Sequence, residues 1–573
     1  MITLDRLSVE LLTEIFKLIH DSSRRTIFSL IRVNKAISEA TLPFVYRECT
    51  FDFSQRIYRA PNIQAEDETP FTRSLEKLTS LLELYPDSTS AIWRGVRKVV
   101  VQSNSAVWEG QERNARYDTQ PPYVPSEELV QAKWGSFVEF LARIINPREV
   151  VFDCPERVPV ILLKVLEEKH LSCRLHVKNW TRLSSDVKVG DPYEEALARS
   201  PCLTSLEARF LTGGPRMDFN YSAFKRILAL APNLEAMSYI TRSAGGCVRY
   251  GLGPEEEAEA DREAEKFAVA NPERKRGMKM IRYSSLYSSM IQSWESFFDP
   301  RNVESLHLDA LHATEWMDYA RGKGMFGRLK HLSFSIAHYP YYRGSQSSDE
   351  FKSGLADFLD FCSALESLSI VNYHDYIDLP ALLDRHGQIL RSLGLHQVES
   401  TEDTRPVLTG GDLELICSKA PRLESLELDV NRTLDPSRNE AEIYRVISTF
   451  PNLRHLTIHY DLGIQHSAFI MITLRLFYSD SSQREENLFR KIYTEIDEDF
   501  ARDIWRAVRG KELEKLALFD GEPDRETGFG LPAHWVLREQ EVRQRLYVRR
   551  NERDDLRDDL SAVKVERRGR YKQ

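Results

Sequence analysis

The 573-residue chain lacks any surplus of positive charge: 78 Lys and Arg stand against 87 Asp and Glu, a formal net charge of -9. This argues against a dedicated nucleic-acid or anionic-membrane binder, which would draw its affinity from clustered Lys and Arg meeting phosphate. No run of about 18 apolar residues occurs, so no transmembrane helix is expected. The opening MITLDRLSVELLTEIF carries Asp5, Glu10 and Glu14, and so lacks the positive leader and unbroken apolar stretch of a secretory signal. A cytoplasmic or nuclear protein is therefore expected. The seven cysteines are scattered and never form a CxxC pair, which argues against a disulfide framework and a clustered thiolate metal site. There is no GxSxG elbow, Walker lysine loop or HExxH, and no convincing catalytic constellation, so the expectation is a non-enzyme without cofactor or metal.

What is present suffices for a large core, with 42% hydrophobic and 29% charged residues. The strongest signal is a recurring frame, L-x-x-L-x-L, that puts two inward residues on a short strand and anchors the turn before it. It reads Leu203, Leu206, Ala208; Leu234, Met237, Tyr239; Val303, Leu306, Leu308; Leu329, Leu332, Phe334; and Leu365, Leu368, Ile370. It continues as Leu390, Leu393, Leu395; Leu423, Leu426, Leu428; Leu453, Leu456, Ile458; and Leu513, Leu516, Leu518. Val96, Val99, Val101 and Pro147, Val150, Phe152 read as earlier copies. A helix-period segment usually leads into a Pro turn just before the frame, as in Pro232-Asn233-Leu234 and Pro451-Asn452-Leu453, so each unit is helix, turn, strand.

One such unit cannot cover its own apolar face, so neighbours must stack. The expected class is α/β: an irregular leucine-rich-repeat solenoid over residues 49–533, with parallel strands concave and helices convex. The alternative is an ordinary α/β sheet protein. A charged stretch near 245–298, with Glu255, Glu256, Glu257, Glu259 and Asp261, reads as a solvated insertion, and 534–573 as a charged helix or tail.

Residues 1–48 differ. Leu11, Leu12, Ile15, Phe16 and Ile19 recur at helical spacing behind the candidate cap Ser8, Ile27, Leu30 and Ile31 form a second stripe, and a third short helix starts at Lys35. Leu7-Ser8-Val9-Glu10-Leu11-Leu12, then Ile15-Phe16, Leu30 and Val33-Asn34-Lys35 resemble the F-box motif, L-P-x-E-L-L-x-x-I-F, then L, then V-S-K-x-W. Ser8, Asn34 and Ile37 replace its usual proline, serine and aromatic. With irregular leucine-rich repeats behind it, the chain is similar to fungal-type F-box proteins. The resemblance implies a substrate receptor of an SCF-type (Skp, cullin, F-box) ubiquitin ligase. Leu7, Leu11, Leu12, Ile15, Phe16 and Val33 would then be apolar anchors for a Skp-type adaptor and its cullin core, with Ser8, Glu10 and Lys35 at polar contact positions. A repeat scaffold with no ubiquitin role is the alternative.

Strand alternation sends the residues between frame leucines to the opposite face, where an unknown client protein would bind. They include Glu207, His307, Asp309, His331, His396, Glu427, Asp429, His455 and His459, edged by Tyr339, Tyr341, Tyr342, Tyr373 and Tyr376. Solvated strands tolerate histidine, so no metal is inferred from these imidazoles. His374-Asp375 lacks an identifiable nucleophile. Gly322 to Gly327 spells G-x-G-x-x-G, but it precedes a strand and reverses the order a dinucleotide site needs, so it reads as a turn.

Overall fold

Two of the repeat helices have starts fixed by side-chain caps. At the helix Gly410–Lys419 the Thr409 hydroxyl accepts from the Asp412 amide (3.2 Å) and the Asp412 carboxylate accepts from the Thr409 amide (2.8 Å), closing a reciprocal cap. At the helix Leu379–His386 the Asp378 carboxylate accepts from the Ala381 amide (3.2 Å). The Pro-Asn turns before the strands also tie repeats together. Asn233 donates to the carbonyl of Pro201 and Asn452 to that of Pro421, each at 2.7 Å, so the side chain following one proline satisfies the turn of the repeat before it.

The computed structural model describes residues 9–22, 24–30, 32–33, 35–53, 70–87, 90–103, 127–154, 157–180, 192–212, 219–243, 262, 277–285, 291–292, 294–311, 314–336, 348–399, 404–432, 438–461, 498–509, 512–520, 545–549 and 564–567. The chain divides into two compact units, residues 1–278 with 295–299, and residues 279–294 with 300–573.

The first unit opens with three helices, α1 (Val9–Ser22), α2 (Arg24–Leu30) and α3 (Lys35–Val45). Leu12, Phe16, Ile27, Ile37, Ala40 and Phe44 form their shared core, with Ile15, Ile19, Leu30 and Val45 packed around it. A parallel sheet follows: β1 (Glu48–Asp52), β2 (Lys98–Gln102), β3 (Glu149–Asp153), β4 (Arg174–Trp180), β5 (Leu203–Thr212) and β6 (Ala236–Ser243), paired in chain order with helices between. Asn179, at φ 56°, sits where the register of β4 against β5 slips.

The second unit continues the plan with β7 (Met280–Ser285), β8 (Ser305–Leu311), β9 (His331–Ile336), β10 (Ser367–Val371), β11 (Ser392–His396), β12 (Ser425–Val430), β13 (His455–Tyr460) and β14 (Lys515–Asp520), all parallel and in chain order. Ile281, Leu306, Leu332, Leu368, Leu393, Leu426, Leu456 and Leu516 occupy one register position across the eight strands. Every one of them is buried. At about 1.5 to 3 kcal/mol per buried aliphatic side chain, this column is a main source of cohesion for the stack. Gly324 (φ 66°) and Phe326 (φ 62°) form the turn read from the G-x-G-x-x-G string.

The structure puts its first strand where the repeats were expected to start and differs from the expectation at two later places. The repeats begin at β1, whose Cys49 and Phe51 hold frame positions without a leucine. Residues 280–285, placed by the sequence in the charged insertion, are strand β7, because Met278, Ile281 and Tyr283 are a frame written in other apolar residues, all buried. Apart from Arg262, residues 244–276 lie outside the described residues. The expected C-terminal charged helix or tail contains instead two strands, β15 (Arg545–Arg549), antiparallel to β14, and β16 (Lys564–Arg567), antiparallel to β15. Leu546 and Val548 alternate with Arg545, Tyr547 and Arg549 at period two, which suits a strand that takes up the hydrogen-bonding edge of β14.

The leucine column carries a test. Replacing the fully buried Leu368 by alanine should cost about 3 kcal/mol, read as a lower urea midpoint at unchanged slope. An unmoved midpoint would contradict the packing described.

Candidate functional site

On the face away from the frame leucines, strand alternation lines up polar rows. In the second unit the third such row runs through Asp309, His396, Asp429 and His459. Toward β7 it is open. Asp309 accepts from Arg282 on the neighbouring strand (3.2 Å) and lies 3.2 Å from Nε2 of His307. Burial alone would raise the Asp309 carboxyl, but the hydrogen bond from His307 and the Arg282 charge bring it below the ordinary carboxylate value.

Toward β13 the same row is covered. Arg405, in the linker after β11, is buried, and its guanidinium donates to Asp429 (3.3 Å), Asn431 (3.0 Å) and the carbonyls of Val430 (3.2 Å) and His459 (3.0 Å). Asp429 also holds Nδ1 of His396 (2.6 Å) and accepts the Gln397 amide (2.5 Å). His459 stacks on Phe519 at 5.0 Å and places Nε2 2.7 Å from Glu427. Burial pushes Asp429 upward, yet the His396 and Arg405 charges outweigh it and hold the carboxyl low. Burial lowers His459, with Glu427 opposing. This network is suited to pinning the linker across the strand ends, with Nε2 of His396 and Nδ1 of His459 left buried without a hydrogen-bond partner.

The nine expected client-binding positions therefore do not form one surface. His307, Asp309, His331 and His455 are open or half-open, and Glu427 is half-buried. His396, Asp429 and His459 are buried, which corrects their expected role: Arg405 covers them. Glu207 is half-buried on β5 and belongs to the first unit. Tyr373 is buried, and Tyr339, Tyr341 and Tyr342 lie outside the described residues. Arg405 and Arg282 were missed because neither occupies a position between frame leucines named from the pattern.

Of the positions expected to meet an adaptor, Leu11 and Val33 are 55% and 60% exposed, joined by Phe28 at 51%. Ile15 is partly buried. Leu12 and Phe16 are committed to the core of the three helices, which corrects their reading as docking anchors. Glu10 and Lys35 lie in α1 and α3, while Leu7 and Ser8 lie outside the described residues. Among the described residues there is no group of three or more His, Cys, Asp or Glu arranged to hold a metal, and no helix long and apolar enough to cross a membrane.

The sequence matches no protein-family model, and a comparison with curated proteins finds no match. The class defined here is a repeat-like α/β stack of parallel strands alternating with helices.

Two measurements probe the covered row. Arg405→Ala removes the cation beside buried Asp429, leaving it only His396 and the Gln397 amide, and should cost about 3 kcal/mol at pH 7, with a smaller loss in acid where Asp429 can take a proton. The folded His459 imidazole binds its proton less readily than the usual value of 6.5, so the unfolded chain is protonated first and stability falls as pH drops below 6.5. His459→Gln should flatten that part of a urea-midpoint profile. An unchanged slope below pH 6.5 would exclude His459 as its source.

Proposed function

We propose that the chain is a substrate-recognition subunit of an SCF-type ubiquitin ligase, with residues 9–45 as its F-box-like module. The observation that carries this reading is that the three helices have a core of their own while leaving Leu11, Phe28 and Val33 exposed. Three helices in under 40 residues make a marginal core, and covering these side chains with a partner helix or groove would stabilise it. Leu11 and Val33 are also positions that match the motif. The client would be held by the polar strand face behind the module, open at His307, Asp309, His331 and His455 in the second unit. The role is then one of proximity: no bond is made or broken by this chain, and the effective concentration of client lysines at the ligase core rises.

A second reading, a repeat scaffold with no ubiquitin role, is favoured by Leu12 and Phe16 facing inward and by the packing of α3 against the helix Ala91–Gly95. In that reading the module is a cap on the first repeat. Capture by a purified Skp-type adaptor separates the two. The ligase reading expects the full chain to be retained, and a Leu11→Asp, Val33→Asp double variant to be lost with its melting temperature intact. Equal retention of both, or of neither, contradicts it.

A further inference from the structure

The covered end of the polar row buries two imidazoles against each other. His396 ends β11 and His459 lies in β13; β12, which carries Asp429, runs between them, and the two ring centroids are 4.8 Å apart. Each ring is anchored through one nitrogen, Nδ1 of His396 on Asp429 (2.6 Å) and Nε2 of His459 on Glu427 (2.7 Å). Both carboxyls are held below their ordinary values and are therefore ionised, so they can only accept. The proton of a neutral ring then sits on the anchored nitrogen. The opposite nitrogens, Nε2 of His396 and Nδ1 of His459, carry lone pairs, and both are buried without a hydrogen-bond partner. A neutral ring leaves only an unmet lone pair there. A protonated ring would instead hold a charged N–H sealed from water and from any acceptor, which is far costlier.

The groups that face His459 divide over that second proton. Glu427 and, at longer reach, Asp429 favour it, while His396 opposes it. Phe519 of β14 stacks on the ring at 5.0 Å and offers no acceptor. Arg405 brings a cation already committed to Asp429 (3.3 Å) and to the His459 carbonyl (3.0 Å). Tyr373, just after β10, stays a neutral phenol because burial raises it, and Asp461, just after β13, is raised by burial and accepts the Arg432 amide (2.6 Å). Burial is the largest influence on His459 itself, so it takes up a proton less readily than the usual 6.5 while the row is covered.

The cover is the linker, and its hold is concentrated in one residue. Besides the guanidinium bonds of Arg405, Asn431 donates to the Arg405 carbonyl (2.6 Å), so backbone and side chain are pinned together. Thr404 is exposed and Pro406 and Val407 are half-buried, so lifting Arg405 brings little apolar surface into water. We propose that the Arg405 linker is an acid-released latch, closed over His396, Asp429 and His459 at neutral pH and lifted when His459 takes a proton, so that the new N–H reaches water. The open form joins these three residues to Asp309 in one accessible polar row. Linkage sets the direction: the lifted form binds the proton more readily than the closed one, so lifting is favoured as pH falls below 6.5. The latch is a property of the second unit's packing and does not depend on a ubiquitin role.

Hydrogen exchange of the purified full-length chain at about pH 7.5 and about pH 5.5, each rate divided by the intrinsic rate at that pH, tests the latch. The amides of residues 404–409 and of Gln397, which donates to Asp429 (2.5 Å), should lose about tenfold of their protection in acid, while β8, β9 and β10 keep theirs. His459→Gln keeps a donor for Glu427 and cannot be protonated, so its protection should be equal at the two pH values. Glu427→Gln removes a charge that favours the proton and should move the loss to lower pH. Glu427 is half-buried at the open side of the cluster, so this variant decides the matter if His459→Gln does not fold. Unchanged protection at 404–409, a loss that survives His459→Gln, or a loss spread evenly over β8 to β14 overturns the proposal. So does an unmoved transition in Glu427→Gln.

Discussion

Parallel pairing in chain order, with one buried aliphatic or leucine per strand in a single column, is the constraint on which the rest depends. A strand flanked by its own helix cannot bury both frame residues alone, so cohesion arises only when neighbours stack. From Ile281 to Leu516 the column holds its register across eight strands. Once it is fixed, positions next to it in the repeat are aligned with their counterparts on the adjacent strands. Chemistry is therefore laid out in rows rather than in isolated residues.

That layout explains both polar features of the strand face. Where a row alternates in sign, as from Lys279 to Glu514, neighbouring side chains neutralise one another and the surface is inert. In the first unit the same row opens instead with three like charges side by side, Arg47, Arg97 and Arg148. The row through Asp309, His396, Asp429 and His459 illustrates a third outcome. Its start is half-open, but its end is sealed by Arg405, whose guanidinium satisfies Asp429, Asn431 and two carbonyls at once. Such a network gains its worth from pairing its charges, since an unpaired charge in that interior would be costly.

The repeat was legible in the sequence wherever leucine marks the frame, and the Pro-Asn turns before it proved to be inter-repeat hydrogen bonds through Asn233 and Asn452. It was illegible where other apolar residues fill the same sites: Cys49 and Phe51 in β1, Val177 in β4, Met278, Ile281 and Tyr283 in β7. All are as buried as the leucines, because the frame demands volume and apolarity rather than one residue type. The three helices of residues 9–45 followed from helical spacing, but spacing could not say which aliphatics face inward. Leu12 and Phe16 do; Leu11 does not. Nor could alternation reveal that Arg405 folds over His396 and His459, since a linker's path is decided by tertiary partners and not by period.

The central claim is that a small module with open aliphatics at the head of the chain joins a client-binding repeat stack to a ligase adaptor. Hydrogen exchange of the full-length chain, with and without a purified Skp-type adaptor, tests it most directly. Slowed exchange confined to residues 9–45, with the strands from Met280 to Asp520 unchanged, is the result predicted. Unchanged exchange throughout, or protection confined to the strand face, would contradict it.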